Sequence, residues 1–344
     1  MKKIIIPYIF LISLLYVNVL ALAQEKTAQK KCLECHVKTN AKKFIHAPSA
    51  ESCTDCHESN GKVHPTEDEE GFKLVEQVPQ LCYTCHDPIN TKKHLHPPVK
   101  QGACLDCHEI HSSNEQKLIF LSAPDLCFSC HSDLEKRMET DTVIHNVTKT
   151  GSACNNCHSP HQSEQPKLLL TAEKDLCLQC HNKTIPKDLR TIPNIKLELQ
   201  RNKFVHSALE VNGCIGCHDP HASPQNSLLK GGFTNSTYIS NKSKDSVSLC
   251  FKCHDPSLME KEVKAETGFR NGDKNLHFKH VNKEKGRNCV NCHGVHSGPN
   301  EFLLVDKVKF GQWDMPMKFT KSETGGNCVT ACHSTKSYTR VAAK

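Results

Sequence analysis

The sequence predicts an elongated array of two-site repeats, mostly irregular loop with short α-helices and little or no β-sheet, and three observations carry that expectation. The 344 residues hold 22 Cys and 23 His but one Trp, with a mean hydropathy of −0.52, which excludes a multi-span membrane protein and an ordinary cytosolic enzyme. Beyond residue 23, Leu, Ile, Val and Phe make up about 20 per cent of the chain, the level at which chains usually stay disordered, so side chains alone cannot build the core. Close Cys pairs recur in tandem, and such self-similarity marks an architecture in which each unit rests on its neighbours.

The N-terminus sets the compartment. Lys2 and Lys3 precede an apolar run from Ile4 to Leu22, broken by Pro7, Ser13 and Asn18, and Ala21-Leu22-Ala23 has the small residues a signal peptidase reads. Residues 1–23 are therefore expected to be a signal peptide cleaved before Gln24, with a retained anchor helix as the alternative. The exported protein is expected in the periplasm or at the outer membrane, or else outside the cell.

An exported, Cys-rich chain first suggests disulfides, but the spacing points elsewhere. Every Cys belongs to a close pair followed at once by His: Cys32, Cys35, His36; Cys53, Cys56, His57; Cys82, Cys85, His86; Cys104, Cys107, His108; Cys127, Cys130, His131; Cys154, Cys157, His158. The series continues with Cys177, Cys180, His181; Cys214, Cys217, His218; Cys250, Cys253, His254; and Cys289, Cys292, His293. The last, Cys328, Cys332 and His333, has three intervening residues instead of two. C-x-x-C-H is the attachment sequence of c-type haem: two thiols add to the vinyl groups of one porphyrin and a short turn carries the next His under the iron. Zinc knuckles are the rival reading, but zinc gives no reason for His after every second Cys. Eleven covalent haems are expected, about one per 29 residues of the mature chain, and they replace the missing apolar core.

The repeat unit reads F/L/V-x-H, a first C-x-x-C-H, x-x-H, a leucine pair, then L-C-x-x-C-H. The copy at 143–181 shows it fully, with His145, Cys154, His161, Leu168-Leu169 and Cys177. Copies at 94–131, 204–254 and 278–333 follow; the copy at 44–86 has its downstream His displaced to His64, and a half unit at 32–36 precedes it. Equivalent first cysteines are 51, 50, 60 and 75 residues apart. Residues 24–183 are thus expected to form a tightly spaced array of haems 1–7 and residues 184–344 a looser array of haems 8–11. Loops are expected at 183–203, 222–248 and 255–276, with a helical turn or two near Lys196 to Arg201, and no strand is signalled.

Twelve His lie outside the motifs. The repeat register selects His46, His96, His145, His206 and His280 upstream and His64, His111, His161, His221 and His296 downstream as second axial ligands, while His94 and His277 compete for the eleventh iron. Met315 and Met317, near Trp313, are weaker candidates; a Met ligand would raise the potential of its haem. An iron held by two His has no open position, so its chemistry is outer-sphere electron transfer and no catalytic residue is expected.

The segments CLDCHEIH (104–111), CNNCHSPH (154–161), CIGCHDPH (214–221) and GRNCVNCHGVHSG (286–298), with the L-C-x-x-C-H motifs between them, carry a family resemblance. The chain resembles the doubled C-x-x-C-H multihaem cytochromes, and more narrowly the periplasmic decahaem cytochromes of porin-cytochrome outer-membrane electron conduits. That resemblance implies a redox-protein donor, such as an inner-membrane or periplasmic cytochrome, a redox acceptor and an outer-membrane β-barrel porin as partners. The eleventh motif departs from the usual ten.

The formal charge of +7, of which Lys2 and Lys3 carry two, is too mild to argue for nucleic acid, and no nucleic-acid partner is expected. Two propionates per ferric haem shift the mature chain to about −6. Lys42-Lys43, Lys92-Lys93 and Lys283 to Arg287 then serve as solvated charge, propionate partners or docking points. The expected function is an exported undecahaem wire with no small-molecule substrate. The alternatives are a subunit of an extracellular cytochrome filament and a reductase with one open haem.

Overall fold

The structure, a computed structural model, describes residues 31–64, 71–187, 190–240 and 244–341. The expected signal peptide at 1–23 lies outside the described residues. Among the described residues no helix is long and apolar enough to cross a membrane.

Each copy is built from the same short pieces. A two-residue strand leads into the upstream His at Phe44–Ile45, His94–Leu95, Val143–Ile144 and Phe204–Val205. A helical turn follows at Ala47–Glu51, Pro97–Lys100, Asn146–Lys149 and Ser207–Asn212. Proline opens the first two of these, where a backbone N–H has no helical partner to lose. The first motif of the copy then winds into a tight turn, as at Cys53–Asp55, Cys104–Asp106, Ala153–Asn156, Cys214–Gly216 and Cys289–Asn291.

The strands pair with the next copy and not with their own. Phe44–Ile45 runs antiparallel to Ser112–Ser113, His94–Leu95 to Gln162–Ser163, Val143–Ile144 to Ala222–Ser223, and Phe204–Val205 to Ser297–Gly298. Beside each pairing the upstream His N–H donates to the carbonyl of the next copy's downstream His: His46 to His111, His96 to His161, His145 to His221 and His206 to His296, at 2.8–2.9 Å. The chain accordingly divides into two units inside the third copy: Met1–Ser132 with Gly151–Leu170, and Asp133–Thr150 with Thr171–Lys344. The upstream strand of the third copy goes with the fourth, while its first motif stays with the second. The looser motif spacing from residue 184 is a separate feature that arises from insertions.

Past the second strand, two successive residues enter the left-handed region: Lys117 and Leu118, Lys167 and Leu168, Ser227 and Leu228, Phe302 and Leu303, at φ of 56–60°. That conformation costs an L-residue about 1–2 kcal/mol. Repeated hydrogen bonds offset it: the carbonyls of Leu118, Leu168, Leu228 and Leu303 accept the N–H of Glu109, Ser159, Asp219 and Gly294 at 2.7–2.8 Å. The buried hydroxyls of Ser113 and Ser223 donate to the carbonyls of Ile119 and Leu229 at 2.5 and 2.6 Å, and Ser163 donates to Leu169. In the fifth copy Gly298 takes this place, where a Cβ would lie 2.7 Å from the Leu303 backbone, and Asn300 Nδ2 donates to the Leu304 carbonyl instead at 3.1 Å.

Buried apolar side chains are few, and Ile239, Val247 and Met259, packed by Phe251 and Val281, form one small cluster. The expected helical turn is the helix Ile195–Arg201, capped by the Asn194 side chain on the Leu197 N–H. A second helix, Leu276–Val281, stands where the fifth copy would repeat the upstream strand. Its cap is Asn275, 2% exposed, whose Oδ1 accepts the N–H of His277 and Phe278 at 2.9 and 3.2 Å. Asn275 Nδ2 donates to the carbonyls of Ser257, Leu258 and Lys261 at 3.2, 3.1 and 2.9 Å, which ties the insertion at 255–276 together.

Sheet is confined to the short pairings except at the C-terminus, where Lys307–Phe310, Trp313–Lys321, Gly325–Thr330 and His333–Thr339 form an antiparallel meander. The sequence reading signalled no strand here. The signal was alternation: Met315, Met317 and Phe319 fall two apart, Met317 is buried, and Phe319 lies against Gly326, opposite Lys321 in the register.

Asn275→Ala removes a cap and three donated bonds from a buried position, and is expected to destabilise the protein by about 2–4 kcal/mol, read from the denaturant midpoint. At Lys167, Val in the left-handed region is expected to be about 1–2 kcal/mol less stable than Gly in the same assay, because only Gly enters that region without strain.

Candidate haem sites

Within the units, nine pairs of histidine rings face one another across 5.9–6.4 Å with planes 6–27° apart. Two imidazoles that each hold a nitrogen about 2 Å from one metal ion have ring centres about 6 Å apart. Every pair joins a motif His to a His outside the motifs: His36 with His64, His86 with His46, His57 with His111, His131 with His96, and His108 with His161. The others are His181 with His145, His254 with His206, His218 with His296, and His293 with His277. For His280, burial lowers the imidazole first, and His333, the proximal candidate of the terminal motif, is among the neighbouring charges that lower it further.

The pairing follows two rules. The second motif of a copy faces the upstream His of its own copy, whereas the first motifs at His57, His108 and His218 face the downstream His of the copy that follows.

The rings are oriented through Nδ1. His108, His158, His218 and His293 direct Nδ1 to the carbonyls of Lys117, Lys167, Ser227 and Phe302 at 2.7–3.0 Å. These carbonyls belong to the first residue of each left-handed pair. His46, His145 and His206 direct Nδ1 to the carbonyls of Ile110, Pro220 and Val295 at 2.9–3.1 Å, each just before a downstream His. A carbonyl accepts only from a protonated Nδ1, so Nε2 is left with its lone pair for a metal. Burial lowers His218, His280 and His293 and so favours the neutral form that ligates, and it brings His277, beside His293 and His280, down to about 4.

The cysteines carry the sites in sequence order. First cysteines of neighbouring motifs lie within thiol hydrogen-bond reach: Cys32 with Cys53, Cys82 with Cys104, Cys127 with Cys154, Cys177 with Cys214, and Cys250 with Cys289. The proton donated by the partner thiol brings Cys154, Cys214 and Cys289 down to about 7. Second cysteines supply alternate links: after burial, Cys85 is among the neighbours that raise Cys56, as Cys130 is for Cys107 and Cys253 for Cys217. Burial, with Cys328 and Cys332 nearby, raises Cys292 to about 11. All 22 thiols are free of disulfides.

Nine motifs share one turn, in which the His N–H donates to the first Cys carbonyl at 2.9–3.1 Å. The terminal motif is built differently. Cys328 lies in the strand Gly325–Thr330, His333 opens the next strand opposite Thr330, and the register shifts between Cys328 and Thr330. A β-hairpin thus takes up the extra residue.

Of the competing pair, His277 meets a motif His and His94 does not. His94 lies in the strand opposite Ser163, where its Nε2 is buried without a hydrogen-bond partner. Its place is that of Phe44, Val143 and Phe204 in other copies, so it is a strand residue in register. Met315 and Met317 are carried by the terminal sheet, with Met317 buried in it. Sequence reasoning missed the Nδ1 acceptors, although the recurring leucine pairs marked their turns.

The donor set fits a haem. Among the described residues no group of three or more His, Cys, Asp or Glu is arranged to hold a bare metal ion. Two opposed His nitrogens suit a metal whose other four ligands come from a porphyrin, and the adjacent Cys pair suits its thioether links.

A family model described as the doubled CXXCH motif matches residues 46–91, 96–136, 145–185 and 206–258, together just over half of the chain. These matches fall on the first four copies and end before the fifth, whose second motif is the hairpin variant. No curated protein matches the chain. Four matched repeats, each with its Cys pairs and opposed histidines in place, establish that the chain belongs to the doubled CXXCH motif family and is a multihaem c-type cytochrome of electron transfer.

Proposed function

We propose that the protein is an exported cytochrome with eleven c-type haems, all held by two His, that relays electrons through the periplasm to the outer membrane between redox-protein partners. The observation that carries this reading is the alternation of cysteine contacts. Within each unit, first cysteines of consecutive motifs lie within thiol hydrogen-bond reach, and second cysteines of alternate neighbours are near enough to raise one another's thiols. Haems held by those thiols would follow one another in sequence order along a unit, an arrangement that would supply a relay for outer-sphere electron transfer. Two His per iron leave no coordination position for a substrate, which suits outer-sphere transfer and not catalysis. The eleventh haem is assigned to Cys328, Cys332 and His333, with His280 opposite.

Lys2, Lys3 and the apolar run Ile4 to Leu22 support export. The resemblance to porin-bound conduits supports an outer-membrane β-barrel partner. Co-purification from outer-membrane extracts, with Gln24 at the mature N-terminus, tests both.

Intact mass under denaturing conditions should show eleven haems. The double substitution Cys328→Ser, Cys332→Ser should lose one haem mass, and ten in the unsubstituted protein would mean that the hairpin motif is not loaded. Electron paramagnetic resonance of the oxidised protein should show low-spin ferric haem alone, while a stoichiometric high-spin signal would favour a reductase with one open iron.

A further inference from the structure

The first motif of a copy draws its second His from the copy that follows: His111 for His57, His161 for His108 and His296 for His218, at ring separations of 6.2, 6.0 and 6.2 Å. His293 is the first-motif His of the fifth copy, and among the described residues the ring that meets it comes from its own copy. The ring that meets it is His277, 6.4 Å away with planes 24° apart. His277 has no counterpart in the repeat. It stands three residues before the upstream His280, on the helix Leu276–Val281, in the stretch where other copies place an upstream strand.

The insertion at 255–276 holds this ring from several sides. Asn275 accepts its N–H and anchors the helix start to the carbonyls of Ser257, Leu258 and Lys261. Thr267 Oγ1 lies 3.0 Å from His277 Nδ1, occupying the nitrogen that other sites give to a backbone carbonyl, and also accepts the Phe269 N–H at 3.1 Å. The Phe269 ring packs edge-on against His277 at 5.2 Å and over His280 at 5.7 Å. The longest gap between equivalent cysteines, the 75 residues from Cys214 to Cys289, contains this insertion.

We infer that His277 is the second axial ligand of the haem of Cys289, Cys292 and His293: the insertion supplies it, in place of the His that the earlier sites take from the next copy. The inference rests on the two-His reading above and deepens it. The displaced His64 is likewise out of the repeat register and meets His36 of the half unit at 5.9 Å. A site closed from within its own copy needs no His from a second chain.

The test uses holoprotein variants His277→Ala and His94→Ala, with haem number followed by mass and spin state by electron paramagnetic resonance. His277→Ala should keep every haem yet show one high-spin ferric iron per chain, which added imidazole returns to low-spin. His94→Ala should remain low-spin throughout. A wholly low-spin His277→Ala protein, or a high-spin iron in His94→Ala, overturns the assignment. His277→Met keeps a ligand and covers poor folding of the alanine variant: one haem's share of the reductive titration should move to higher potential, and an unchanged titration overturns the assignment as well. Failure of the undecahaem reading would instead appear in the mass and spin state of the unsubstituted protein.

Discussion

The bond from an imidazole Nδ1–H to a backbone carbonyl is the interaction on which the rest of this structure depends. A haem iron needs a neutral imidazole with a free Nε2 and a fixed ring plane, and one hydrogen bond at the opposite nitrogen supplies both. The protein provides it with backbone, which no substitution of an acceptor side chain can remove. For His108, His158, His218 and His293 the acceptor sits in a left-handed turn. Those turns recur because they aim a carbonyl back at the motif, and the strain of Lys167 or Phe302 at positive φ is the cost of that aim.

The second consequence is interlocking. His46, His145 and His206 send Nδ1 to a carbonyl of the next copy, beside the strand pairing and beside the bond to the downstream His carbonyl. One junction therefore orients an upstream His and a downstream His that face different motif histidines, as His46 faces His86 and His111 faces His57. With so few buried apolar side chains, these junctions and the haems themselves carry the cohesion a hydrophobic core supplies elsewhere. The cluster around Ile239, Val247 and Met259 is the exception, and it lies next to the insertion that presents His277.

The terminal part of the chain departs from the repeat in a way that follows from the same logic. Among the described residues the fifth copy pairs its upstream segment with no strand of a further copy, and its first motif meets His277 of its own copy. Here a capped helix replaces the strand and a four-stranded meander replaces the usual second half. The C-x-x-x-C-H motif fits a hairpin because its extra residue lengthens the loop between the two Cys.

The sequence by itself determined the chemistry: C-x-x-C-H, repeated until every Cys is used, permits haem and little else, because thioether formation and axial ligation both depend on residues a few positions apart. It also determined which histidines were available and the period of the repeat. Which His faces which motif His was decided only by the tertiary structure, since a downstream His and the motif it faces lie in different copies and spacing along the chain does not measure that separation. His94 and His277 could not be separated from sequence for this reason. One fills an apolar strand position and the other rides on an insertion, and only the pairing of His94 with Ser163 and of His277 with His293 tells them apart.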